Sequence, residues 1–72
     1  MAPNAWLYQK DLTTIRVVQR ELDAGAEVVI LGPDGQNQQA FTTVDAASQF
    51  REALIARILA IGYAQAWESP EH

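Results

Sequence analysis

Apolar residues recur at three- and four-residue spacing from Thr43 to Ile61, and nothing interrupts them before Gly62. That period predicts one long helix, with Ala47, Phe50, Leu54, Ile58 and Ile61 in a narrow stripe that has to be buried against another layer. Val44, Ile55 and Leu59 form a second apolar arc, interleaved with Arg51 and Glu52, and one helix face does not bury both arcs. Thr42 or Thr43 is expected to cap the start, Thr42 pairing with Asp45 in the manner of a capping box, and Gly62 to end the helix. Arg57, at the edge of the stripe, is expected to lay its stem on apolar surface and keep its charge in water.

Before Thr43 the period shortens to two. Trp6 to Lys10 reads as a first strand, Asp11 to Thr13 as a turn, and Thr14 to Leu22 as a second, β-branched strand. Alternation in the second strand sets Ile15 and Val17 on one face and Arg16, Val18, Arg20 and Leu22 on the other. Asp23, Ala24 and Gly25 predict a tight hairpin into a third strand, Ala26 to Leu31, whose run from Val28 is apolar on both faces and so marks a central position. Gly32, Pro33, Asp34 and Gly35 form the strongest turn signal. Gln36 to Phe41, nearly all amides, reads as a polar edge strand of the kind that discourages sheet-to-sheet aggregation. Tyr63 to Trp67 is either a short closing strand or an extended segment laid over the core, and residues 1–4 and 69–72 are expected to fray. The predicted class is α+β, in a single domain over residues 1–72: an antiparallel β-meander of three to four strands, then one long helix packed on one sheet face, with a short extended tail.

Size and charge sharpen this picture. A chain of 72 residues buries a modest core, and with no cysteine it has no disulfide to reinforce it, so self-association is a natural expectation. An apolar share of 49% is that of a folding domain. A net charge of -4 and a pI near 4.6 disfavour a general binder of phosphate backbones. No secretory leader or bilayer-length apolar run is visible, which gives a cytoplasmic, bacterial-type location as the default expectation.

Candidate chemistry is sparse. The only histidine is His72, so no metal ligand set is expected, and no cofactor. Ser48 and Ser69 have no histidine partner, and the glycines of Gly32 to Gly35 are not followed by the lysine and hydroxyl residue of a phosphate loop. Glu21 and Glu27 approach across the first clear hairpin as a solvated pair, not as an acid and base in a cleft. No catalytic residue is assigned, and an enzyme is not expected.

Two binding readings remain. In the first, the chain is a non-catalytic assembly module, a homodimer or a protein-partner module, using Val29, Leu31, Val44, Ile55 and Leu59 as its contact surface. In the alternative, Trp6 and Tyr8 lie beside Arg16 and Arg20 on one sheet face, a mixture suited to stacking bases and meeting phosphates.

Gly32, Gly35, Gln36, Phe41, Ala46, Ala47, Gly62 and Tyr63 fall in a pattern that resembles the second half of a WGR-type module. The likeness covers about half the chain, and it implies a strand-then-helix fold and a nucleic-acid context. Val28, Val29 and Ile30 stand where the Trp, Gly, Arg tripeptide belongs, so the family's functional residues are not carried over. The layout closing on Tyr63, Trp67 and Pro70 is equally similar to small bacterial proteins of one meander and one helix.

Overall fold

The computed structural model describes residues 4–69. The elements run β1 (Ala5–Lys10), β2 (Thr13–Leu22), β3 (Gly25–Gly32), β4 (Gly35–Phe41), α1 (Val44–Ala60) and β5 (Ala64–Ser69). All strands belong to one antiparallel sheet of order β4-β3-β2-β1-β5. The first four strands are a meander, and the chain returns through α1 to add β5 outside β1. This is the α+β arrangement that the two periods predict. The tail, left open between strand and cover, is a strand. Of the expected fraying at residues 1–4 and 69–72, residues 1–3 and 70–72 lie outside the described residues, while Asn4 is held by its carbonyl accepting from the Gln19 N–H at 2.8 Å and Ser69 by pairing with Ala5 in β5.

Register decides what each face holds. Trp6 stands opposite Val17 and Tyr8 opposite Ile15, while Val17 stands opposite Ile30 and Gln19 opposite Val28. Directly opposed residues share a face, so these aromatic and β-branched side chains point together toward α1. Trp6, Tyr8, Val17, Ala26 and Val28 are buried there against Ala47 and Ile58, with Phe41, Phe50, Leu54, Ile55 and Tyr63 packed around them. Ala47, with no side chain beyond Cβ, lets the helix approach the sheet closely. Phe41 and Phe50 meet with ring centroids 5.2 Å apart and tilted by 43°, joining the end of β4 to the helix that follows.

Four details depart from the sequence reading. The first turn holds two residues, Asp11 and Leu12, with Thr13 already paired to Lys10; Asp11 takes the left-handed φ of 54°, which a short polar residue tolerates. Of the two expected caps it is Thr43 that serves, its Oγ1 accepting from the Ala46 N–H at 3.1 Å, and the capping box of Thr42 and Asp45 does not form. Asp45 is then the second helical residue, too early for a capping box, though its charge still suits the positive helix end. The helix stops at Ala60, so Ile61 leaves the stripe and is 60% exposed. Ile55 moves the other way, packing against the core because the broad sheet receives a wider helical arc than the stripe alone.

Gly62 ends the helix as expected. Its N–H bonds to the Leu59 carbonyl at 3.1 Å and the Tyr63 N–H to the Ile58 carbonyl at 3.2 Å, a Schellman pattern that needs the φ of 104° found at Gly62. Tyr63 and Ile58 also join the same apolar cluster, so the cap delivers the chain back toward the sheet.

Candidate functional site

The sheet face turned away from α1 has no second layer among the described residues. Pairing arranges it in rows across the strands. One row runs Gln36, Leu31, Arg16, Leu7 and Trp67, from one edge of the sheet to the other. The next holds Gln38, Val29, Val18 and Ala5. A third sets Ala40, Glu27 and Arg20 side by side.

The middle row is a small buried floor. Val29 is only 4% exposed, and Ala5 and Val18 form a cluster with it. Arg16, Arg20 and Gln38 around it are long enough for their stems to stand over such short side chains. The first row is more open, with Leu31 at 37% and Trp67 at 38% exposure. Arg16 reaches across β1 to bring its guanidinium carbon 5.8 Å from the centre of the Trp67 ring, inside the range of about 6 Å at which a cation feels a ring face. At the other end, Arg20 Nη1 lies 3.9 Å from Glu27 Oε1, and the Gln38 amide donates to Glu27 Oε2 at 2.6 Å. Of the strand carboxylates Glu21, Glu27 and Glu68, only Glu27 shares this face. Two arginines and one glutamate thus give this face a local positive balance on an acidic chain.

The helix side holds a different polar group. Arg51 donates from Nε to Gln19 Oε1 at 2.7 Å, Gln19 donates in turn to Ser48 Oγ at 3.1 Å, and Trp6 Nε1 donates to Glu68 Oε2 at 3.2 Å. Burial pushes the Tyr8 phenol above its usual value; the positive charge of Arg51 pulls it down, and the negative charge of Glu68 adds to the rise. These bonds tie α1, β2 and the two strands β1 and β5 together, and they leave no reacting pair facing a cleft. A shallow cleft of about 260 Å³ sits at the corner that α1 leaves uncovered, floored by Ile15 and Ile30 and rimmed by the Gly32 to Gly35 turn and Asn37. It is smaller than the roughly 300–1,000 Å³ of ordinary ligand pockets. Among the described residues no three His, Cys, Asp or Glu side chains are placed to hold a metal ion, and no helix is long and apolar enough to cross a membrane.

The residues singled out from the sequence are dispersed. Leu31 is on the open sheet face, Val29 is buried in its floor, and Ile55 is in the core. Val44 and Leu59 are exposed on α1, on the far side of the molecule from Leu31, so the five do not make one surface. Trp6 and Tyr8 lie beneath α1 while Arg16 and Arg20 project from the opposite face, which separates the aromatic and basic halves of that constellation. Glu21 and Glu27 are likewise on opposite faces, Glu21 facing the side of Ala26 and Glu27 paired with Arg20. The aromatic beside Arg16 is Trp67, and Leu7 completes the row. The alternation of Tyr63, Gln65 and Trp67 in the tail sets Trp67 on the side of Gln65, and the register shift between Leu7 and Tyr8 breaks it, leaving Gln65 opposite Tyr8 and turning Trp67 to the open face. Comparison with protein-family models, with curated protein sequences and with solved structures finds no match for this chain.

Proposed function

We propose that the chain is a non-catalytic binding and assembly module that self-associates through the open face of its sheet. The observation that carries this reading is the row Leu31, Arg16, Leu7 and Trp67, in which a leucine and a tryptophan each remain more than a third exposed beside a buried aliphatic floor. Five strands at about 4.8 Å spacing and about 20 Å of strand length give roughly 500 Å² of footprint per copy. Two such faces approach the roughly 1,200 Å² at which specific interfaces begin. A facing copy also offers the amides of Gln36 and Gln38 and the carboxylate of Glu27 as acceptors for Arg16, which keeps that charge satisfied. Sedimentation equilibrium tests it: Leu31→Lys with Trp67→Ala should shift the chain toward monomer, and an unchanged mass distribution overturns the reading.

One observation favours a second reading, the alternative of a nucleic-acid-binding module. Arg16 over the Trp67 ring, with Arg20 nearby, supplies a stacking surface and positive charge on the side from which most carboxylates are absent. Titration of single-stranded DNA or RNA at two salt concentrations decides it. Binding at low salt that Trp67→Ala abolishes supports it, and no binding at low salt ends it.

A further inference from the structure

The two edges of the sheet are guarded differently. β5, at one edge, is interrupted by a register shift opposite Leu7 and Tyr8 and carries the Glu68 carboxylate, both features that deter a further strand. β4, at the other edge, has neither protection. It pairs with β3 without a shift from Gly32 and Gly35 to Ala26 and Phe41, and its seven residues, GQNQQAF, include no charge and no proline. Every residue from Gln36 to Ala40 is exposed. Alternate residues of an antiparallel strand turn both backbone groups to the same side. The outer side of β4 therefore presents a ladder of donors and acceptors with no strand of this chain beside it.

The amides read from the sequence as a guard are better suited to pairing. A lysine or glutamate repels its own copy, whereas an amide is uncharged and both donates and accepts, so two identical amides set opposite each other satisfy one another. Gln38 is already held in place. It spends one amide N–H on Glu27 at 2.6 Å, which leaves its carbonyl oxygen and second N–H for a neighbour.

We infer that β4 pairs antiparallel with β4 of a second copy about a two-fold axis through Gln38, joining two five-stranded sheets into one of ten strands. This register sets Gln38 opposite its own copy, Asn37 opposite Gln39, Gln36 opposite Ala40 and Gly35 opposite Phe41. All seven residues overlap and no charge meets another. Such self-complementarity is what an isologous contact requires. The axis stands perpendicular to the sheet, so both helices lie on one side and both open faces on the other. The contact runs along the sheet edge, with Gln36, Gln38 and Ala40 on the open-face side of the seam and Asn37 and Gln39 on the α1 side, and either contact can hold without the other.

Because the chain has no cysteine, single introduced thiols report the contact without background. Opposed residues of an antiparallel pair have Cα atoms about 4.5–5.5 Å apart, within disulfide range, so Gln38→Cys should cross-link to its copy under mild oxidation. Gln36→Cys is the control, since its two copies sit about 13 Å apart in this register and should link at least about tenfold more slowly. Equal rates overturn the inference. Asn37→Lys with Gln39→Lys sets lysine opposite lysine across the seam on the α1 side, away from the open face, and should raise the dimer Kd by about tenfold or more while the far-ultraviolet circular dichroism spectrum stays native; an unchanged Kd overturns it. Trp67→Ala in the Gln38→Cys background should leave the cross-linking rate unchanged. Loss of the link there assigns the contact to the open face and overturns the edge pairing, whereas its survival beside a monomerising Asn37→Lys with Gln39→Lys variant removes the face reading alone.

Discussion

Arg51 holds its guanidinium carbon 4.4 Å above the ring of Trp6 while its Nε donates to Gln19. One side chain of α1 thus grips both β1 and β2. Arg51→Ala should cost about 1–2 kcal/mol, combining a partly shielded cation and ring contact with a charge-assisted hydrogen bond. Urea denaturation followed by circular dichroism measures this. The double variant with Gln19→Ala should lose less than the sum of the two single losses, because the pair shares one bond.

Gly25 is confined by the chain that enters the helix. A Cβ there would stand 2.0 Å from the Phe41 carbonyl oxygen, with φ at 128°. Gly35 has a similar φ of 120° but nothing within 4 Å of the added atom. Gly25→Ala should therefore destabilise by more than about 3 kcal/mol, adding a backbone clash to the conformational cost, and Gly35→Ala by only about 1–2 kcal/mol. Equal midpoint shifts in denaturant would contradict the close approach.

Tyr8 gives stability a dependence on alkaline pH. Burial raises its pKa on folding, with Arg51 opposing and Glu68 reinforcing the rise. The folded state thus favours the neutral phenol more than the unfolded state does. The contribution is fully present below the unfolded value of about 10 and is lost as pH rises through the higher folded value. Absorbance titration of a Tyr63→Phe variant should show Tyr8 ionising above the normal phenol range, and Tyr8→Phe should flatten the fall in melting temperature over that window.

Ala47 and Ile61, both read as members of one helical stripe, should respond in opposite ways. Ala47 is fully buried against the sheet, so Ala47→Leu should cost about 1–3 kcal/mol by overpacking. Ile61 is largely exposed past the last helical turn, and Ile61→Ser should stay within about 0.5 kcal/mol of the parent. Thermal melts of the two variants distinguish them.

The elements themselves were legible because each follows a local rule. The doubly apolar run at Val28 to Leu31 marked an interior strand, though β3 stands one place in from the edge with β2 at the centre and has, among the described residues, a covering layer on one face only, and Gly62 marked the end of the helix. The candidate surface was less legible because it depends on parity. A three-residue turn from Asp11 to Thr13 would oppose Tyr8 to Arg16 and bring the aromatic and basic residues onto one face. The two-residue turn opposes Tyr8 to Ile15 and sends Arg16 to the other side. A slip of one residue exchanges every side chain between faces. Trp67 was hidden for another reason: it becomes part of the surface only through pairing with Leu7, sixty residues earlier in the chain, and no local pattern encodes that partner.

The pairing of β5 with β1 also orders events in time. A nascent chain can close the hairpins β1-β2, β2-β3 and β3-β4 as each emerges, but β1 gains its second neighbour only after α1 and β5 have been made. Until then one flank of β1 is bare, and sealing it joins residues from 55 positions apart at Gln9 and Ala64 to 64 apart at Ala5 and Ser69, the slowest closure this topology contains. Of the strands in this fold, the latest made is the one that seals the earliest.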